Sequence, residues 1–181
     1  MFGRSLFAPS PPLFSLVDEK KFGRFRFYSY LCTMKHILFV CHGNICRSPM
    51  AEFIMKKMVR QAGREEDFEI ASAATSTEEL GNPVYPLARQ ELAMHGIGCA
   101  GHAARQLTPD DYDRFDLIVG MEQANIDAIL AILGDDPDGK VRLLIDGKDI
   151  ADPWYTRNFR NAWNDIHAGC TALFNTLATD E

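Results

Sequence analysis

From Met34 onward the apolar positions alternate between two patterns. Four short, nearly unbroken apolar runs, "HILFV" (36–40), "FEIASA" (68–73), "FDLIVGM" (115–121) and "VRLLI" (141–145), read as strands covered on both faces. Helical periods separate them. Ser48 is a good N-cap with Pro49 at the first helical position, and Ala51, Ile54, Met55 and Met58 then keep one face apolar. A second helix is expected over Pro86–His95, stopped by Gly96, and a third over Glu122–Leu133. Phe159, Trp163, Ile166, Cys170, Phe174 and Leu177 mark a long C-terminal helix, the clearest period in the chain.

Strands alternating with helices at this spacing predict an α/β fold. The expected architecture is a three-layer sandwich, a four-stranded parallel sheet with helices on both faces. Ligands of such sheets bind beyond the carboxyl ends of the strands. Residues 1–33 break the pattern. They hold six of the twelve phenylalanines and a "PSPP" stretch, show neither period, and carry five basic residues against two acidic ones. No basic start, continuous apolar stretch and cleavage site combine there into a secretory signal, and Asp18 and Glu19 sit against a transit peptide. The reading is a disordered extension over 1–33, translated from an upstream start, ahead of a working domain over 34–181.

The 181 residues suffice for one sizeable core, and no apolar run reaches membrane-spanning length. A net charge of −6 with no basic stripe argues against nucleic acid. Five cysteines without a tight framework suit a reducing, cytoplasmic setting.

The chemistry concentrates after the first strand, in "VCHGNICRSP" (40–49). Gly43 suits a sharp turn and Asn44 tolerates a left-handed backbone. Backbone N–H groups of His42, Gly43, Asn44, Ile45 and Cys46 would converge as an anion nest at the following helix N-terminus. Arg47 adds a planar fork for two oxygens of a tetrahedral oxyanion. Cys41 lies at the base of the cradle, where a helix dipole alone is too weak to hold a thiolate. The N–H groups, Arg47 and the Ser48 hydroxyl have to supply the rest. The Cys-x5-Arg spacing reads as a nucleophile and a phosphate clamp in one loop. A metal site built on Cys41, His42 and Cys46 fits poorly, because structural zinc takes four ligands with tighter cysteine pairs.

With these residues in hand, the chain resembles the low-molecular-weight protein tyrosine phosphatases. "VCHGNICRSPMAEF" matches their phosphate-binding loop and "DPWY" (152–155) their second signature, with "SAATS" (72–76), "HGI" (95–97), "HAAR" (102–105) and "MEQAN" (121–125) between. The resemblance implies Cys41 as nucleophile, Arg47 as clamp, and Asp152 as the acid that protonates the leaving tyrosine oxygen and then activates water. It also implies loop support from Asn44, Ser48, Ser72 and His102, and a substrate wall of Trp154 and Tyr155. The curl of the loop would bring Cys46 close enough to Cys41 to trap an oxidised nucleophile as a disulfide. No cofactor and no metal are implied. The implied partner is a phosphotyrosine-containing protein or a small aryl phosphate, with no nucleic acid and no membrane; the oligomeric state is left open.

Departures from the family pattern are Ala74 where many members have glycine and Glu122 for the usual Asp, neither expected to touch the chemistry. "STEEL" (76–80) lacks an aromatic that some members carry, and Glu78 or Glu79 there would disfavour acidic peptides. An arsenate reductase would need a cysteine pair where Met121–Asn125 stand. A protein-arginine phosphatase tends to carry Thr at the position of Ile45. A non-catalytic phosphate-binding module would have no use for Cys41, Arg47 and Asp152 together.

Overall fold

The computed structural model describes residues 34–179; the expectation for 1–33 lies outside the described residues. Strands β1 (Lys35–Cys41), β2 (Phe68–Ala74), β3 (Leu117–Gly120) and β4 (Val141–Leu143) form one sheet in the order β2-β1-β3-β4, with every pairing parallel. The helices are α1 (Arg47–Gln61), α2 (Pro86–Met94), α3 (Asp110–Arg114), α4 (Gln123–Leu133), α5 (Pro153–Thr156) and α6 (Phe159–Thr179). The sandwich expected from the pattern is the fold observed.

Central β1 shows why its run is apolar without alternation. Ile37, Phe39 and Cys41 point to one face and join Ile54 and Met55 of α1, Leu92 of α2, and Ile166 and Cys170 of α6. Leu38 and Val40 point to the other and meet Phe115, Ile118 and Ile129 of α4. Both faces are covered, so a polar residue on β1 would be buried whichever way it pointed.

Four local expectations need correction. Helix α1 begins at Arg47 with Cys46 in the capping position, so Ser48 is not the N-cap and Pro49 is the third helical residue. Ser48 turns its hydroxyl inward instead, for a reason given below. β3 and β4 are shorter than their apolar runs, because Phe115 closes α3 through its N–H to the Asp111 carbonyl and Ile145 enters a turn with Lys148. Helix α4 begins at Gln123, with Glu122 outside it. Helices α3 and α5 and a 3-10 turn at Glu65–Asp67 went unanticipated, since one turn is too short to show a period.

The order of the strands places the site. The chain leaves β1 for β2 on one side of it and reaches β3 on the other, so the loops after β1 and β3 diverge and open a crevice. Cys41, the last residue of β1, lies buried at that strand's carboxyl end.

Candidate active site

The loop between β1 and α1 wraps a buried side chain. Asn44 adopts φ 56° and is fully buried. Its side-chain amide donates to Ser48 Oγ (2.9 Å) and Ser72 Oγ (2.8 Å), while its Oδ1 accepts the backbone N–H of Arg105 (3.1 Å). The left-handed turn therefore falls on Asn44. Gly43 has no positive φ; a Cβ there would stand 3.2 Å from Glu79 Cγ, so its need is for close approach rather than for backbone freedom.

Ser48 Oγ stands 3.0 Å from Cys41 Sγ. Asn44 occupies one lone pair of that hydroxyl, leaving its proton for the sulfur or for the Ala73 carbonyl (3.3 Å). A hydroxyl busy in this way cannot cap α1. Ser72 donates its own hydroxyl hydrogen bond to Glu52 Oε2 (2.5 Å), and Glu52 is held in turn by Lys56. His102 Nε2 lies 2.8 Å from the Asn44 carbonyl oxygen, with Nδ1 4.0 Å from Glu52. A bridge of Ala74 to Gln106 brings this segment alongside the end of β2. Asn44, Ser48, Ser72 and His102 thus share one buried network with Glu52, whose part sequence reasoning missed. Its signal was a carboxylate amid the apolar face of α1.

Arg47, 1% exposed, lies below the cavity. Nη1 donates to the Ile150 carbonyl (3.0 Å), and Nη2 meets both Glu122 Oε1 (2.8 Å) and Asp152 Oδ2. Burial works against its charge, but the hydrogen bond to Glu122 and the negative charges of Cys41 and Asp152 outweigh this, raising its pKa further. Arg47 Nε is buried with no hydrogen-bond partner among the described residues. Glu122, which the sequence reading set apart from the chemistry, is bonded directly to Arg47. Its position just past β3, beyond the carboxyl end of a strand, was the available signal.

Asp152 accepts the Trp154 N–H at 2.9 Å and so caps α5, which fixes its carboxyl over the crevice. A cavity of about 120 Å³ is lined by Cys41, His42, Gly43, Ile45, Cys46, Arg47, Glu78, Glu79, Asp152, Trp154 and Tyr155; the buried Cys41, Ile45, Cys46 and Arg47 form its floor, and the exposed Glu78, Trp154 and Tyr155 its rim. Trp154 packs edge-on against Tyr85, ring centres 5.1 Å apart; the Tyr85 N–H donates to the Ile45 carbonyl (2.8 Å), tying the aromatic wall to the loop. Cys46 is buried, and that burial together with the negative charges of Cys41 and Asp152 drives its thiol pKa far above the ordinary value. Among the described residues no group of three His, Cys, Asp or Glu could hold a metal ion. The arrangement brings a cysteine sulfur, a guanidinium with unspent donor capacity and a carboxyl to one small space.

A family model described as low molecular weight phosphotyrosine protein phosphatase matches residues 36–181. The low molecular weight protein-tyrosine-phosphatase YfkJ of Bacillus subtilis is 34% identical over 154 residues, 82% of this chain and 99% of that protein. Its crystal structure superposes with a TM-score of 0.79, covering 82% of this chain and 98% of the other at 33% identity. A structure described as a Drosophila arginine phosphatase reaches a TM-score of 0.73 at 30% identity, covering 82% of this chain and all of its own.

Proposed function

We propose a reaction for this chain, which belongs to the low molecular weight phosphotyrosine protein phosphatase family: hydrolysis of phosphotyrosine and small aryl phosphates through a cysteinyl-phosphate intermediate. The observation that carries it is Arg47, a buried guanidinium with an unpartnered Nε, set between Cys41 and Asp152. Leaving a buried donor unmet costs about 1–3 kcal/mol, which an oxyanion in the cradle recovers.

The phosphoryl group enters over the loop, its oxygens on the backbone N–H groups and Arg47. It displaces Asp152 from Nη2, so binding frees the acid. The Cys41 thiolate, steadied by the Ser48 hydroxyl, forms the S–P bond as the P–O bond to the phenol breaks. Asp152 gives its proton to the departing oxygen. In the second step Asp152 takes a proton from water, which attacks phosphorus and expels the thiolate. Arg47 and the loop hold the equatorial oxygens throughout. Trp154 and Tyr155 receive the phenyl ring.

Asp152→Asn tests the assignment. Its kcat/KM, which reports the step in which the phenol departs and not the later hydrolysis, should fall by about a hundredfold or more with a phenyl phosphate and far less with a nitrophenyl phosphate, whose leaving group departs without a proton. Equal losses across leaving groups would remove Asp152 as the acid. Ile45, whose bulk lines the cavity, favours an aryl ring over the arginine phosphatase reading.

Cys46 supports a redox role in the same loop. Peroxide oxidises the Cys41 thiolate to a sulfenic acid; the Cys46 thiol then attacks that sulfur, releasing water and forming a disulfide that added thiols reduce. Cys46→Ala should keep substantial activity yet fail to recover after peroxide and dithiothreitol. Full recovery would exclude the role. A reducing, cytoplasmic setting is proposed on the same grounds: Cys41, Cys46, Cys99 and Cys170 are all buried free thiols. Among the described residues no helix is long and apolar enough to cross a membrane.

A further inference from the structure

The cavity has a cationic floor and an anionic rim. Among the described residues its one lysine or arginine is Arg47, sunk at 1% exposure, while the carboxylates Glu78, Glu79 and Asp152 line the same space. Glu79 is half-buried and fixed: its Cγ crowds Gly43 and its Oε2 accepts the Asn82 side-chain amide at 2.6 Å. Glu78 stays 71% exposed, its Oε2 3.2 Å from His42 Nε2, so this carboxylate stands at the outer lip over the phosphate loop. The same lining includes Tyr155, 80% exposed, and Trp154, 42% exposed, aromatic rings of the kind a planar cation adds to. Arg157 already lies over the Trp154 ring at 5.6 Å, so the wall accepts a guanidinium and Tyr155 is the ring left open to a second one.

A phosphotyrosine side chain carries its phosphate to the floor and leaves its peptide neighbours at the rim. A glutamate next to the phosphotyrosine would meet two carboxylates there. An arginine would meet two carboxylates and an aromatic face. The unpartnered Nε of Arg47 independently marks the floor as an oxyanion site, so the acidic rim does not itself bind the phosphate. We propose that Glu78 and Glu79 make this enzyme selective for phosphotyrosine flanked by basic residues, arginine above all, an inference that rests on the phosphatase reading.

Each exposed carboxylate–guanidinium pair gives at most about fivefold, and two of them about tenfold or somewhat more. The test compares short phosphotyrosine peptides with arginine, glutamate or neutral flanks at about 0.01 M and about 1 M ionic strength, where charges are screened beyond about 30 and about 3 Å. The full chain should prefer arginine to glutamate flanks by about tenfold in kcat/KM at low salt, mostly through KM, and lose the preference at high salt. Glu78→Gln with Glu79→Gln should flatten the ratio, and Glu78→Lys with Glu79→Lys should invert it. An unchanged ratio in those variants, or equal rates for both flanks in the wild-type chain, would overturn the proposal. The neutral peptide separates the two readings: if it is not hydrolysed at all, the phosphatase assignment falls and the inference with it.

Discussion

The floor and the rim of the same cavity are built on opposite principles. On the floor, buried polar atoms are almost all spoken for: the Asn44 side chain makes three hydrogen bonds, Ser48 and Ser72 relay them, and Glu52 collects the chain at Lys56. At the rim, Glu78 and Tyr155 stand mostly in water. A buried network costs dearly when one member is lost, whereas exposed side chains exchange partners cheaply. The difference teaches where geometry is held and where it is adaptable. Under the proposed function the floor would fix the reacting sulfur and the oxyanion site, and under the proposed selectivity the rim would read what surrounds the phosphate.

Asn44→Ala strikes the floor hardest. It removes a residue that accepts the left-handed turn and leaves Ser72, Ser48 and the Arg105 N–H short of a partner. A loop displaced by about 1 Å should cost about a hundredfold in kcat toward an aryl phosphate. Steady-state kinetics beside a melting curve check this, and a kcat within threefold of the wild-type value would mean the network does not position the loop.

A smaller effect is expected one link further out. Asp111 is buried and receives both Nη groups of Arg105 (2.9 and 3.0 Å) and the Thr108 N–H (2.8 Å), while the Arg105 backbone N–H supports Asn44. Burial works against the Asp111 charge, but the Arg105 and Thr108 hydrogen bonds prevail and lower its pKa. A lowered folded-state pKa gives stability that is present above the ordinary carboxylate range and lost as pH falls through the folded value. Asp111→Asn should therefore cost about 2 kcal/mol near neutral pH. The gap should narrow below about pH 4. Denaturant unfolding at both pH values decides it, and a gap that does not depend on pH would remove the ion pair as its source.

Much of the architecture was written in periodicity, because β1 and α6 are long and apolar in register with the layers they join. The single-turn helices α3 and α5 were not, since they exist for local reasons: Asp152 caps one, and Asp111 closes the other through the Phe115 N–H. Within the site, Cys41, Arg47 and Asp152 were legible from spacing and resemblance. Glu122, Glu52 and Tyr85 were not. Each acts through a partner distant in sequence, as with Glu122 on Arg47 and Tyr85 on the Ile45 carbonyl, and no local pattern encodes such a pairing. Ser48 misled for a related reason: its residue type fits a cap, but its hydroxyl is needed at Cys41.

The central claim is that Cys41 carries the phosphoryl group during turnover. The direct measurement is rapid acid quench of the full chain mixed with an excess of nitrophenyl phosphate, followed by mass spectrometry of the peptide containing Cys41. The account predicts one added phosphoryl group on Cys41 in the wild-type chain. Cys41→Ser should show none, should turn over at less than about one per cent of the wild-type rate, and should still bind inorganic phosphate through the intact cradle. Undiminished turnover by Cys41→Ser, or a phosphoryl group found on another residue of the loop, would contradict it.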